Sequence, residues 1–474
     1  MKYKSEIDEF FQNQPSLDFL EYLMSPVHTE CPKWFGKREP NTEEADAREL
    51  YLDIQFFDEK NLLETAYSDF NKFLNVHKLD GDKYPIRILE RETRCFEAYE
   101  INVTEDECVV SANDTEGIRR ALIFLEDEML RREGGFLPIG HISRYPHIKA
   151  RITRGFFSPT NRPPKFGDEL SDDIDYYPDE YLNRLAHDGT NGLWIYTSFK
   201  ALLPSKYIVE YGEGYEKRIE KLNSVIKKCS RYGIKVYVFA IEPMGFTNKN
   251  MEEKYPQVIG SDVWWNGFHT FCTHSNFGRD YCLEATTKLF ELLPELGGYI
   301  NITFGERPTS CASEWTGDCP RCGKYEQPDV LAYTVDLFRE GIRRVKPEAD
   351  YISWTYAHRL ASDEDIKKYV ERAPADVVLM QNFEDRGYVE QLGKTRIAID
   401  YWLSYPGPSQ MFEITAQRAI ETGKRMWAKM QVCNSHELAT VPYIPAPGLI
   451  FTKVKEAHRL NVKGIMECWY LDRK

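Results

Sequence analysis

"RDYCLEATTKLFELLPELGGYINITFGE", residues 279–306, contains the repeating unit from which the fold can be predicted. Apolar residues first recur at helical spacing, and a pair of glycines then ends the helical pattern. The β-branched and aromatic run that follows is typical of a buried strand, and it ends in a glycine and a glutamate. A helix leading into a strand of this kind is the building unit of a parallel sheet.

The same unit recurs from residue 151 to the end of the chain. Eight strand-like runs alternate with seven amphipathic helices; the runs are "ITRGFF", "NGLWIYTSF", "IKVYVFAIEP", "GYINITFGE", "DYISWTYA", "DVVLMQNFE", "RMWAKMQV" and "VKGIMECWY". Eight units close a (β/α)8 TIM barrel, whereas the alternative, a doubly wound sheet, usually has about five to seven strands and often a glycine-rich first loop. We therefore predict a catalytic barrel over residues 151–474. Because the chain stops four residues after "ECWY", we expect this barrel to lack its last helix, through truncation or because something else covers that face.

A different pattern precedes the barrel. Strand-like runs at residues 84–90 and 98–112 are followed by an amphipathic helix at residues 114–132, for which Asp114 or Thr115 is a suitable N-cap. These elements predict a small α/β domain over residues 1–150.

The composition and net charge limit which molecules the protein is expected to bind. The 474 residues carry a net charge of −14 that is spread along the chain, which disfavours nucleic acid and anionic membranes and favours neutral polar substrates. No apolar run approaches the ~18–20 residues that span a bilayer, and "MKYKSEIDEFFQNQPSLDF" lacks the apolar stretch of a secretory signal. Eleven scattered cysteines suit a reducing compartment. We expect a cytoplasmic protein, with a homodimer left open as its assembly.

Polar and aromatic residues lie at the predicted strand ends, where a barrel places its active site. Indoles stack on sugar faces, while amides and carboxylates bind hydroxyl groups, so this combination suits a carbohydrate. Asp400 and Trp402 lie in a long loop between the sixth and seventh strands, which we interpret as a binding loop rather than a loop clamp without ligand. The predicted substrate-binding residues are Arg154, Glu242, Trp354, Asn382, Asp400, Trp402 and Trp469.

Two glutamates are the candidate catalytic pair. Glu306 and Glu437 end the fourth and seventh strands, which face each other across a barrel mouth. Glycoside hydrolysis needs two carboxylates, one as acid and one as nucleophile or base. We predict that Glu306 is the acid and Glu437 the nucleophile. A non-catalytic carbohydrate-binding barrel and a metal-dependent hydrolase remain alternatives.

Cysteines cluster directly after Glu306, within "ITFGERPTSCASEWTGDCPRC" (302–322). A tetrahedral zinc site takes four nitrogen or sulfur ligands. We predict a structural zinc that fixes this loop, with no organic cofactor; free thiols are the alternative. The predicted ligands are Cys272, Cys311, Cys319 and Cys322, with His274 as the other candidate for the fourth position. His187 and Asp188, just before the second strand, are interpreted as a turn rather than as a dyad.

The segments "FEAYEINVTEDECVVSANDTEGIRRALIFLEDEM" and "ISRYPHIKARITRGFF" resemble the domain junction of family 20 β-N-acetylhexosaminidases, in which a small α/β domain precedes a (β/α)8 barrel. The resemblance implies that Arg154 grips the terminal sugar of an oligosaccharide or glycoconjugate. The cysteine-rich loop is similar to that of bacterial barrel hydrolases near this family.

The sequence departs from family 20 at the fourth strand. The family places an Asp-Glu pair there for substrate-assisted catalysis, whereas this chain has Gly305 and Glu306. The resemblance therefore implies an exo-acting glycosidase on a β-linked sugar, N-acetylhexosamine being one candidate. Glu306 and Glu437 match the acid and nucleophile of retaining clan A glycosidases, and substrate-assisted catalysis is the alternative mechanism.

Overall fold

The computed structural model describes residues 18–159, 167–356, 362–398, 401–438 and 444–467. The chain divides into two compact units. The N-terminal unit contains residues up to Pro146 together with segments 177–190 and 229–234, and the barrel unit contains the rest.

A mixed five-stranded sheet organises the N-terminal unit. Its order is β2-β3-β5-β4-β7, in which β2, β3 and β5 run parallel and β4 is antiparallel to both of its neighbours. A two-stranded antiparallel pair, β1 and β6, accompanies it. The strands are β1 (Glu44–Asp46), β2 (Leu50–Ile54), β3 (Tyr84–Glu90), β4 (Tyr99–Val103), β5 (Cys108–Ala112), β6 (Phe136–Pro138) and β7 (Gly140–Arg144).

Three helices belong to the same stretch of chain: α1 (Asp18–Leu23), α2 (Glu64–His77) and α3 (Thr115–Arg131). The predicted N-cap of α3 is observed, since the Asp114 carboxylate accepts a hydrogen bond from the Gly117 amide at 2.8 Å. The core lies between sheet and helices, with Phe70 and Phe73 of α2 and Leu122 of α3 fully buried.

The barrel unit contains a closed barrel of eight parallel strands that are adjacent in chain order. They are β8 (Ala150–Arg154), β9 (Gly192–Tyr196), β10 (Lys235–Ala240), β13 (Gly298–Phe304), β14 (Asp350–Thr355), β15 (Val378–Asn382), β18 (Arg425–Met430) and β19 (Gly464–Glu467). All seven residues of β13 are buried, as expected for a parallel strand that is covered on both faces. The predicted TIM barrel preceded by a small α/β domain is confirmed.

Helices alternate with these strands along the chain. They are α4 (Asp179–His187), α5 (Phe199–Leu202), α6 (Tyr215–Ser230), α7 (Lys249–Lys254), α8 (Asn276–Leu292), α9 (Gln327–Arg343), α10 (Asp363–Arg372), α11 (Gln410–Glu421) and α12 (Pro447–Arg459), with 3-10 turns at Pro256–Val258 and His436–Leu438. The predicted absence of an eighth helix concerns residues 468–474, which lie outside the described residues. Within the described ranges, no helix combines the length and apolar composition that crossing a bilayer requires.

Two antiparallel hairpins, which the sequence did not predict, follow barrel strands. One joins β11 (Ile259–Val263) and β12 (Phe268–Phe271) after the third strand, and the other joins β16 (Tyr388–Gln391) and β17 (Lys394–Ile397) after the sixth. Both lie in loops at the carboxyl end of the barrel, where barrel enzymes bind their substrates.

Candidate active site

Glu306 lies two residues beyond the carboxyl end of β13, the fourth barrel strand. Its Oε2 is buried and has no hydrogen-bond partner among the described residues. Burial raises the pKa of Glu306, and the nearby Arg307 guanidinium opposes that rise. The rise shifts the balance of this carboxyl towards the acid form, which is the state that a general acid needs.

Gly305 determines how Glu306 leaves the strand. Its φ of +109° is a conformation that residues with a Cβ rarely adopt. The aspartate that precedes the acid in family 20 would be strained at this position. Glycine is therefore the residue that this backbone conformation accommodates best at position 305.

We predict that Gly305→Ala destabilises the protein by about 1–2 kcal/mol, because alanine must adopt a positive φ. The matched control is Gly407→Ala, since a Cβ at Gly407 meets no atom within 4 Å. Thermal unfolding of both variants measures the difference. Equal melting temperatures for the two variants would contradict the strained conformation.

The loop that follows Glu306 is tied to its surroundings. Thr309 Oγ1 donates to the carbonyl of Thr303 at 2.7 Å, and the amide of Phe271 donates to the carbonyl of Thr309 at 2.8 Å. The amide of Gly245 donates to Pro308 at 3.0 Å. Residues 305–311 are therefore held between their own strand and the β11–β12 hairpin.

Four cysteines converge at the end of this loop. The sulfurs of Cys272, Cys311, Cys319 and Cys322 are buried and lie within 4.8 Å of one another. Cys272 Sγ is 3.7 Å from the sulfurs of both Cys319 and Cys322. Four thiolates at ~2.3 Å from a tetrahedral zinc would be about 3.8 Å apart. The cluster therefore fits a metal ion without rearrangement.

The contacts of Cys272 favour its thiolate form. Arg321 Nε donates to Cys272 Sγ at 3.1 Å. Hydrogen bonds with Cys311, Cys322 and Arg321 lower the pKa of Cys272 to about 6, whereas hydrogen bonding with Cys272 raises the pKa of Cys311 and of Cys322. His274 is not part of the cluster, since its ring packs against Tyr325 and Tyr333 at centroid distances of 5.1 and 4.2 Å.

Three predicted binding residues, Trp354, Asn382 and Glu242, are buried. Trp354 is fully buried inside the barrel, and its Nε1 donates to Asn382 Oδ1 at 2.8 Å. Glu242 is buried, and its two oxygens accept the amides of Phe199 at 2.8 Å and Met244 at 3.1 Å. Burial raises the pKa of Glu242 to about 7 against the effect of these two bonds.

Arg154 and Trp402 are less buried than the other predicted binding residues that the structure describes. Arg154 ends β8, donates to the carbonyl of Pro159 and stacks over the Trp194 ring at 5.1 Å. Trp402 is partly exposed and carries the Arg396 guanidinium over its ring at 4.8 Å. The other two predicted residues, Asp400 and Trp469, lie outside the described residues.

Glu437 is held by two serines. Its Oε1 accepts Ser404 Oγ at 2.5 Å, and its Oε2 accepts the amide of Ser404 at 3.1 Å and Ser435 Oγ at 2.9 Å. Both carboxylate oxygens are therefore engaged in anchoring the 404 segment. Glu437 was predicted to end the seventh strand, but it lies seven residues beyond the end of β18, in the 3-10 turn His436–Leu438.

Three buried charged residues, Glu384, Lys429 and Lys453, were not assigned a role from the sequence. Glu384 Oε1 pairs with Lys453 Nζ at 2.8 Å, and both side chains are fully buried. Lys429, also fully buried, places its Nζ 3.4 Å from the centroid of the Tyr401 ring. Lys429 could have been singled out from the sequence, because it is a lysine within the otherwise buried strand "RMWAKM".

Comparison with known proteins supports the fold. No protein-family model and no curated protein matches the chain. Among solved structures, a GH138 enzyme targeting pectin rhamnogalacturonan II matches with a TM-score of 0.61 and 15% identity over 88% of this chain and 46% of that one. The chain thus spans less than half the length of that enzyme.

For two further solved structures, the match covers a larger share of the other protein. The β-N-acetylhexosaminidase from Bacteroides fragilis NCTC 9343 matches with a TM-score of 0.52 and 13% identity over 90% of this chain and 83% of that one. A GH20 exo β-N-acetylglucosaminidase from Vibrio harveyi, in complex with N-acetylglucosamine, matches with a TM-score of 0.50 and 11% identity over 95% and 72%. At these identities the likeness shows the fold alone. The chain has the fold of family 20 β-N-acetylhexosaminidases and other glycoside hydrolases, and the predicted resemblance is confirmed at that level.

Proposed function

We propose that the protein is a glycoside hydrolase that removes a terminal β-linked sugar from an oligosaccharide or glycoconjugate. One observation carries the proposal: a buried carboxyl oxygen of Glu306, just beyond the fourth barrel strand, for which the described ranges of the chain provide no partner. A buried polar atom left unpaired costs free energy, so it indicates a position that a ligand would complete. The glycoside hydrolases of the same fold support this reading of the site.

In this proposal Glu306 protonates the oxygen of the departing group as the bond to the anomeric carbon breaks. Its raised pKa increases the share of the protonated carboxyl, the form that can donate to the leaving oxygen. Arg154, Asn382, Asp400 and Trp402 bind the hydroxyl groups and faces of the sugar, while Glu242 fixes two loops through the amides of Phe199 and Met244. Trp354 and Trp469 remain proposed walls of the pocket.

The second catalytic group in the proposal is Glu437. It attacks the anomeric carbon, and water then releases the sugar with Glu306 acting as base. Since Ser404 and Ser435 hold Glu437, the 404 segment must release this carboxylate when substrate binds. The alternative nucleophile, an acetamido group of the substrate, needs the aspartate whose position Gly305 occupies.

The metal in the proposal is a structural zinc bound by Cys272, Cys311, Cys319 and Cys322. Four protein ligands close a zinc site and leave no position for substrate. The zinc would fix the loop that presents Glu306 and takes no part in the reaction.

A panel of 4-nitrophenyl glycosides, both N-acetylated and plain, tests the proposal. We expect turnover of a β-glycoside with release of the β-anomer first, which proton NMR detects. Such retention requires carboxyls about 5–5.5 Å apart. Inversion would contradict Glu437 as nucleophile. No turnover of the panel or of β-linked oligosaccharides, together with sugar binding, would make the barrel a carbohydrate-binding protein instead.

A further inference from the structure

A second cluster of potential metal ligands lies inside the N-terminal unit, apart from the cysteines. His28 follows α1, Asp69 lies on α2, Glu126 lies on α3, and His187 is the last residue of α4. One ligand atom from each of these residues lies within 4.8 Å of the others. Four separate segments of chain therefore deliver two imidazoles and two carboxylates to one point.

The distances fit a single central ion. His28 Nε2 is 3.0 Å from Glu126 Oε2 and 3.6 Å from Asp69 Oδ2. His187 Nε2 is 2.6 Å from Asp69 Oδ2 and 3.8 Å from Glu126 Oε2. Ligands at ~2.0–2.1 Å from a tetrahedral zinc would be about 3.3 Å apart, which lies in the middle of these values.

The pattern of contacts differs from that of two separate ion pairs. The same oxygen of Asp69 is approached by both imidazoles, and the same oxygen of Glu126 is also approached by both. Each histidine presents Nε2 to this point. Such sharing of all four atoms is the arrangement that ligands of one cation adopt.

Burial strengthens the electrostatic requirement for a cation. The side chains of Glu126 and His28 are 3% and 7% exposed, and those of Asp69 and His187 are 12% and 14% exposed. Two carboxylates in such a site need two compensating positive charges. One divalent ion supplies them with both imidazoles neutral, and protonated imidazoles supply them when no ion is bound.

Neighbouring groups orient the ligands in the manner of outer-shell partners in metal sites. Asn183 Nδ2 donates to Asp69 Oδ1 at 2.8 Å, which directs the other oxygen of Asp69 to the centre. Arg184 donates to the carbonyls of Ser25 and Pro26 at 3.0 and 3.2 Å and so holds the segment that carries His28.

We propose that His28, Asp69, Glu126 and His187 bind a divalent transition-metal ion, with zinc as the expected occupant. Imidazole and carboxylate ligands in a tetrahedral arrangement suit zinc. With four protein ligands the site is closed and structural. It fastens the segment around His28 to α2, α3 and α4.

The test uses the full-length protein with Cys319→Ser and Cys322→Ser, so that metal bound at the cysteines does not contribute. After incubation with zinc and gel filtration, elemental analysis is expected to find about one equivalent of zinc per chain. Adding His187→Gln should remove it, whereas His141→Gln, at an exposed histidine, should not. Absence of zinc from the double cysteine variant, or its retention after His187→Gln, would overturn the proposal.

Cobalt provides a second measurement that does not depend on altering the histidine site. Cobalt bound by nitrogen and oxygen lacks the strong sulfur-to-cobalt charge-transfer absorption of a cysteine site. We expect the double cysteine variant to bind cobalt with weak visible bands alone and to gain thermal stability as it does so. A melting temperature unchanged by both zinc and cobalt would contradict the site, even if His187→Gln fails to fold.

Discussion

Glu306→Gln is expected to lower kcat for the hydrolysed glycoside by about 10²–10⁴-fold, the range for loss of a general acid. The amide keeps the size of the side chain but cannot donate the proton. The wild-type pH–rate profile should fall as pH rises through the raised pKa of Glu306, because the acid must be protonated. This alkaline limb should be absent from the variant.

The matched control is Glu314→Gln, which changes a carboxylate in the same loop region. Glu314 accepts a hydrogen bond from Trp265 Nε1 at 3.4 Å and has no role in the proposed chemistry. Circular dichroism and thermal unfolding of both variants establish that the fold is retained. If Glu306→Gln and Glu314→Gln have the same kcat, Glu306 is not the acid.

Loss of the cysteine site should have the second large effect. Cys319→Ser with Cys322→Ser is expected to abolish zinc binding at the loop and to lower activity roughly 10²-fold, since misplacement of a catalytic group by ~1 Å can cost that much. Cys311 is five positions after Glu306, so the loop transmits the change directly. Zinc content, melting temperature and kcat are measured together.

Cys282→Ala is the control for the cysteine site, because Cys282 is a buried free thiol outside the cluster. Zinc bound at the cysteines and activity should survive this change. Removal of zinc by a chelator should lower activity and thermal stability together. Loss of activity at an unchanged melting temperature would indicate a catalytic metal and contradict the structural one.

The barrel could be predicted from the sequence because parallel strands are buried on both faces. Such strands appear as continuous apolar runs, and "GYINITF" is buried along its whole length. Gly189 and Gly233 follow α4 and α6 with φ of +80° and +70°, which is why the helix ends could also be predicted. The domain boundary at residue 150 stays a prediction.

The hairpins were missed because their strands are short and lie in surface loops. Strand β17 is exposed at every residue, so it carries no alternation of apolar and polar positions. His28 and Glu126 of the second cluster are 98 residues apart in the sequence, so no local spacing links them. His187 was interpreted as part of a turn, whereas its Nε2 lies 2.6 Å from Asp69.

The roles of Glu306 and Glu437 could be proposed from the sequence, but their environments could not. One oxygen of Glu306 is buried, and the loop after β13 that carries it bonds to the β11–β12 hairpin. The bonds between Glu437 and Ser404 join residues that lie 33 positions apart. Contacts between residues so far apart in the sequence can be seen only in the tertiary structure.

The central claim is that Glu306 protonates the leaving group, and the dependence of kcat/KM on leaving-group acidity tests it most directly. Aryl β-glycosides with leaving groups of graded pKa are compared in wild type and Glu306→Gln. If Glu306 is the acid, kcat/KM depends weakly on the leaving-group pKa in wild type and steeply in the variant, so that highly acidic leaving groups largely restore activity. Parallel dependences in the two proteins would contradict proton donation by Glu306.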